Sequence, residues 1–160
     1  IVLSVTLHVG YGTFSPVRCD DIREHCIHSE YIQIPPETAD TINDYKKYGS
    51  RVWAVGTTTA RTLEYTAHVN GTITPFSGLC DLYIYPDYKF RVVDNLITNF
   101  HLPQSSLLFL VSAMAGRERI LESYREAVRK NYRFFSYGDA MAIITRPIQL
   151  EETSPDQLLP

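Results

Sequence analysis

Cysteine is scarce in this 160-residue chain: Cys19, Cys26 and Cys80 are the three, and no two form a C-x-x-C pair. An odd count without that spacing argues against a disulfide framework and a cysteine-based zinc site, and reads as a protein of the reducing cytoplasm. Long hydrophobic runs are missing too. The longest, residues 107–111, is far shorter than the roughly 20 residues that cross a bilayer, so no membrane role is expected. Residues 1–3 are apolar, with no basic stretch before them and no small-residue cleavage site after them, which does not read as a signal peptide. The chain opens without Met in a strand-like pattern, and is expected to begin further upstream in the native protein. Basic charge is not in surplus. Lys plus Arg is 15 against 18 Asp plus Glu, for a net charge of -3, so there is no bulk attraction to nucleic acid or anionic lipid. Three familiar motifs are absent: the three-glycine dinucleotide fingerprint, the Walker loop with its Gly-Lys-Ser/Thr, and the G-x-S-x-G elbow of α/β hydrolases.

What remains is ordinary globular material. Hydrophobic residues are 44% and charged residues 21%, near the average for folded domains. The length suits one domain or most of one, with a sizeable core. Tyrosine is abundant at 11 residues, a weak pointer to a binding surface.

Along the chain, Val5, Leu7 and Val9 alternate with polar residues and predict a half-buried strand running into a glycine turn. Residues 28–34 alternate again, with Glu30, Ile32 and Ile34 on one face, and Pro35-Pro36 stops them. A helix is expected after Pro36, with Gly49 as its stop. Residues 51–55 predict a strand buried on both faces, followed by a Gly-Thr-Thr-Thr turn and a helix over 60–68. This order suggests an α/β crossover. Residues 72–80 read as irregular, 81–85 and 90–93 as a hairpin, and 94–103 as a loop. Ser105 or Ser106 caps an apolar helix to about Ala115. A second helix over 117–131 turns Ile120, Tyr124, Ala127 and Val128 inward. Residues 140–144 predict a last buried strand, and 147–160 a tail. The fold class is α/β: a mixed, largely parallel sheet flanked by helices.

Six segments could carry chemistry. In the first, His8 ends a strand, and Gly10 and Gly12 let the backbone of the following turn approach a ligand; a strand-end turn with a surface histidine is the plain alternative. In the second, Gly56, Thr57, Thr58 and Arg61 surround a helix start that favours an anion, against ordinary capping by Thr58 or Thr59. The third, residues 94–103, clusters Asp94, Thr98, Asn99 and His101 in a loop after a strand, where α/β proteins place ligand sites; an Asx-turn would explain it equally. The fourth, residues 25–30, holds two histidines and Glu30. Its spacing matches no HExxH-type site, so no metal is expected, and His28 or Glu30 is read as a hydrogen-bonding or proton-transfer group. In the fifth, Asp139 is a lone acid between a glycine and a strand, expected to be desolvated. In the sixth, the helix over 117–133 carries six basic residues against three acids, either a solvated face or a backbone contact for RNA.

Five ordered blocks are more specific together than any one alone: LHVGYGTF, HCIHSE, RVWAVGTTTARTLE, VVDNLITNFHLPQSSLLFLVSAMAG and YRFFSYGDAMAI. In this order they resemble the S-adenosylmethionine:tRNA ribosyltransferase-isomerase family of queuosine biosynthesis, over residues 3–144. Tyr11 stands where the family usually has a small residue, Ile27 replaces a usual Met, and Asp87 replaces a usual Gly. Family members also carry a long N-terminal portion with an inserted β-barrel domain, which this chain lacks. The resemblance therefore implies that residues 1–146 are the C-terminal part of an α/β catalytic domain.

The resemblance implies S-adenosylmethionine as a ribosyl donor and, as partner, tRNA with a 7-aminomethyl-7-deazaguanine wobble base. The product is epoxyqueuosine, with adenine and methionine released. A base must take a proton beside the sulfonium and an acid must protonate adenine. His8, His101 and Asp139 are the candidates, with Asp94 or Glu30 to orient a histidine. The Thr57-Thr58-Arg61 turn would hold the methionine carboxylate or a tRNA phosphate. Phe14, Phe100 and Tyr137 would stack on a base. Gly10, Gly12, Thr13, His28, Glu30, Gly56, Thr98 and Asn99 complete the expected substrate contacts. The competing expectation is an inactive fragment that self-associates through the face left by the absent portion.

Overall fold

The structure, a computed structural model, describes residues 1–14 and 16–145, with Tyr11 and Phe14 described by their backbone alone. The expected tail at 147–160 lies outside the described residues.

Among the described residues the order is β1 (Thr6–His8), β2 (Glu30–Ile34), α1 (Pro36–Lys47), β3 (Trp53–Val55), α2 (Thr57–Asn70), β4 (Phe76–Cys80), β5 (Asn95–Asn99), α3 (Ser106–Ala115), α4 (Arg117–Arg129) and β6 (Ala140–Ile144). They form two three-stranded sheets, β1-β2-β4 and β3-β5-β6. The mixed α/β class is as expected, but parallel pairing is confined to β3 and β5; β1-β2, β2-β4 and β5-β6 are antiparallel. Helix α2 touches β3, β5 and β4, so it packs on both sheets.

Local chemistry accounts for most of these elements. In β2 the alternation of Glu30, Ile32 and Ile34 with Tyr31 and Gln33 matches a strand whose first set is buried and second exposed. Helix α1 starts on Pro36, where the missing N–H costs nothing. Helix α3 is capped by Ser105, whose side chain accepts from the Leu108 N–H. One apolar cluster runs through the fold, including Ile34, Ile42, Leu63, Leu96, Val111 and Ile143.

Several expectations give way. Strand β3 is not buried on both faces: Ala54 is covered, while Trp53 is 39% and Val55 66% exposed. Val128 points to solvent, leaving Ile120 and Ala127 as the buried face of α4, with Tyr124 half-buried. Strand β6 is covered only at Ile143, with Met141 half-buried. Residues 76–80, expected to be irregular, are β4, and residues 95–99, expected to be loop, are β5. The hairpin over 81–93 does not form. The wholly buried Glu64 of α2 accepts hydrogen bonds from the N–H groups of Arg91, Val92 and Val93 and from the Tyr88 hydroxyl. A side chain thereby satisfies the donors a strand ladder would have taken. Asp87 has a φ of +81°, which explains why glycine is the easier residue at that position.

Candidate functional site

The C-terminal ends of β3 and β5 and the first turn of α2 meet at a pocket of about 210 Å³. Its walls include Val9, Thr13, Gly56, Thr57, Thr58, Thr98, Asn99, His101, Leu107, Phe135 and Ser136. Ligands of α/β proteins bind at such strand ends. Larger grooves lie beside α4 and β6, about 490 Å³, and between residues 1–5, α1 and β3, about 710 Å³. Only the smaller pocket joins several hydroxyl and amide side chains to a histidine of shifted proton affinity.

Gly56 makes the turn into this site possible. Its φ of +92° is a conformation that side-chain-bearing residues rarely adopt, and its N–H extends the parallel ladder to the Ile97 carbonyl at 2.8 Å. The three threonines lie inside the first turn of α2 rather than in a loop before it, and no side chain caps the helix.

His101 is 6% exposed. Its Nε2 lies 3.1 Å from the Thr98 hydroxyl, and its backbone N–H donates to the Tyr124 hydroxyl at 2.8 Å. Burial pushes the imidazole down to about 4, so it is uncharged at neutral pH. Burial also pushes the Tyr124 phenol up to about 12.

Glu30 organises the other wall. It is 3% exposed and accepts from the Gly10 N–H at 3.1 Å, from the Thr13 hydroxyl and from the Arg61 guanidinium. Its carboxylate ties β2, α2 and the short 3-10 turn at Tyr11–Phe14 together, holding Thr13 at the pocket. Gly12 matters for its lack of a side chain: a Cβ there would sit 2.3 Å from the His28 ring. Neither Gly10 nor Gly12 has a positive φ.

Thr13, Gly56, Thr57, Thr58, Thr98, Asn99 and His101 are thus brought together. Other expected site residues are placed elsewhere. His8 is exposed, with its ring edge-on to Tyr31, and does not line the pocket. Asp94 precedes β5, about 16 Å of strand from Asn99. It pairs with Lys46 at 3.3 Å and accepts from the Val52 N–H at 2.9 Å, so it orients no histidine. Asp139 is half-buried, and the effect of burial on its carboxyl is outweighed by a partner. Arg133 pairs with it at 3.1 Å, and its hydrogen bonds hold the carboxyl below the usual range. Phe100 is buried in a cluster with Tyr124, Tyr132 and Phe134, so its ring is not a free stacking platform. Tyr137 is 74% exposed and away from the pocket walls. The Phe14 side chain lies outside what the structure describes. Arg61 is bonded to Glu30 and does not line the main pocket.

Tyr124, the partner of the His101 N–H, shows in the sequence only as part of a helix stripe. Phe135 and Ser136 stand inside the block YRFFSYGDAMAI, but nothing in the sequence marks them apart from their neighbours as pocket walls. At the end of α4, Glu126 pairs with Arg129 and with the capping residue Lys130, at 2.6 and 3.2 Å, which cancels part of the basic surplus. Among the described residues no three His, Cys, Asp or Glu side chains gather as metal ligands would, and no helix is long and apolar enough to cross a membrane.

Comparison with known proteins gives one consistent result. Residues 1–143 match the family described as queuosine biosynthesis protein. The S-adenosylmethionine:tRNA ribosyltransferase-isomerase of Nitratidesulfovibrio vulgaris is 60% identical over 139 residues, covering 87% of this chain and 38% of the relative. The protein of that name from Desulfotalea psychrophila is 59% identical over 142 residues, covering 88% and 40%. The crystal structure of an S-adenosylmethionine tRNA ribosyltransferase from Thermotoga maritima superposes with a TM-score of 0.71 at 46% identity, covering 88% of this chain and 44% of that one. The chain therefore spans about two fifths of the length of these relatives.

Proposed function

The chain belongs to the queuosine biosynthesis protein family, and from that premise we propose that it serves the transfer of a ribosyl group from S-adenosylmethionine to tRNA. The acceptor in this reading is the 7-aminomethyl-7-deazaguanine wobble base, the product is epoxyqueuosine, and adenine and methionine leave. A tRNA substrate puts the reaction in the cytoplasm.

One observation carries the reading. Four of the five sequence blocks that resemble the family contribute walls to a single pocket, and the fifth supplies Glu30, which holds one of those walls. At about 210 Å³ the pocket is smaller than the roughly 300–1,000 Å³ of sites that enclose a whole ligand, so it takes one end of the donor.

In the proposed chemistry His101 is the proton carrier. It is neutral, lies on the pocket wall and is held by Thr98 and Tyr124. A proton accepted by an imidazole of such low affinity passes readily to departing adenine. The hydroxyls of Thr13, Thr57 and Thr98 bind and orient polar atoms of the donor. Asn99 is exposed at the rim, where an acceptor base would arrive. Arg119 and Arg125, exposed on α4 without an ion pair among the described residues, are left to meet tRNA phosphates. Apolar residues on the open face of the second sheet, Trp53, Val55, Ile97 and Ile144, support self-association of the isolated chain.

The test is to incubate the chain with S-adenosylmethionine and tRNA bearing the precursor base, digest the tRNA and look for epoxyqueuosine by mass spectrometry. Product with matching adenine release is expected. If the chain alone gives none and a full-length chain carrying these residues also gives none, the reading fails.

A further inference from the structure

A second, much smaller chamber adjoins the pocket. Thr57, Thr58 and Leu107 line both, and Arg61, Tyr83 and Ser106 complete the walls that matter here. Its free volume is about 10 Å³, room for one oxygen-sized atom.

Two buried polar atoms on these residues have no hydrogen-bond partner: Arg61 Nε and the Tyr83 hydroxyl oxygen. The Arg61 side chain is 5% exposed, and Glu30 takes only its Nη2. Leaving a buried donor unmade is costly, so orphans on two residues that line one void point to a group that fills it. The chamber also lies where α2 and α3 begin, at Thr57 and Ser106. Each helix start carries roughly half a positive charge. Glu30 offsets the charge of Arg61, so the net positive potential in the chamber comes from these helix ends. Burial pushes the Tyr83 phenol up to about 12, so at neutral pH it keeps its proton and donates.

We propose that this chamber receives one oxygen of the α-amino-acid carboxylate of S-adenosylmethionine, bound by Arg61 Nε, the Tyr83 hydroxyl and the start of α2. The inference rests on the reading that the adjoining pocket takes this donor, and it deepens that reading by fixing which end points inward. A backbone phosphate of tRNA does not suit a chamber of this size beside buried side chains. The sulfonium and ribose then lie in the larger pocket, toward Thr98 and His101.

The experiment compares binding of S-adenosylmethionine and its decarboxylated analogue to the wild-type chain and to Tyr83→Phe by calorimetry, with melting temperatures taken without ligand. The wild type is expected to bind the carboxylate-bearing donor at least about tenfold tighter than the analogue. Tyr83→Phe weakens donor binding by about tenfold and leaves analogue binding unchanged. Without ligand it melts no lower than the wild type, because the hydroxyl it removes has no protein partner. Equal binding of the two compounds by the wild type overturns the proposal. So does Tyr83→Phe with wild-type donor affinity and a lowered melting temperature, the result for a chamber that holds only structural water. A wild-type chain that binds the analogue but gains nothing from the carboxylate sinks the subsite alone. One that binds neither compound sinks the donor reading and the subsite with it.

Discussion

The Nε2 of His101 and the Oγ1 of Thr98 are 3.1 Å apart, linking β5 to a residue two positions beyond its end. The contact fixes the imidazole against the pocket wall and lets one ring nitrogen be spoken for while the other stays available to a ligand. Burial, not this contact, makes an uncharged histidine out of a residue that elsewhere would titrate near neutrality.

Acid stability follows from that burial. The folded chain holds His101 at about 4, whereas the unfolded chain returns it to the ordinary value near 6.5. Between those values the unfolded state binds a proton that the folded state refuses. Stability therefore falls as pH drops from about 6.5 toward 4, by up to about 3 kcal/mol from this group. Urea unfolding at a series of pH values checks it, and His101→Gln is expected to flatten that part of the profile. In turnover, His101→Ala is expected to lose about 10²–10⁴-fold if the residue carries the proton. Near-normal turnover removes it from that role.

The Glu30–Arg61 pair supports one wall of the site, and its deletion is expected to be asymmetric. Arg61→Met leaves a buried carboxylate without its cation and costs about 3–5 kcal/mol. Replacing both, with Glu30→Leu and Arg61→Met together, recovers a large part of that loss. A double variant no more stable than the single one, measured by urea unfolding, would contradict this description of the pair.

Glu64 holds the segment from Tyr88 to Val93 by four hydrogen bonds. Glu64→Ala strands three backbone N–H groups away from the strand ladder and is expected to cost about 3–5 kcal/mol. Amide hydrogen exchange would show the loss concentrated at residues 91–93. Uniform protection there would mean that the contacts are dispensable.

Asp87 occupies a backbone conformation with positive φ. Asp87→Gly relieves that strain and is expected to raise stability by up to about 1 kcal/mol, read as a higher melting temperature. A lower melting temperature would show that the Asp side chain contributes more than the strain costs.

The legible parts of the chain were those in which local pattern and tertiary role agree. The alternation in 30–34, the Pro36 start and the Ser105 cap each name their element without help from the rest of the fold. Strand β5 was not legible, because asparagines at both ends argue for a turn. Asn95 is buried in the strand, where its carbonyl oxygen accepts from the Thr145 N–H, a partner 50 residues away. The missing hairpin has the same origin, since nothing local reports that Glu64 will take three backbone donors. Within the site, the Thr57–Thr58 turn and His101 could be read from residue type and position. The partners of Arg61 and Asp139 could not be read, because a sequence shows a charge but not its counter-charge, which here is Glu30 in one case and Arg133 in the other. Tyr124 escaped notice because its hydroxyl works on a backbone N–H, a role no side-chain pattern announces.

The central claim is that the pocket at the ends of β3 and β5 binds S-adenosylmethionine. Titrating the donor into the isotope-labelled chain and following the amide resonances by NMR tests it most directly. The largest shifts are expected at Thr13, Thr57, Thr98, His101 and Ser136, with α1 and the exposed face of α4 unmoved. Shifts confined to α4 or to the groove beside residues 1–5, or none at millimolar donor, would contradict it.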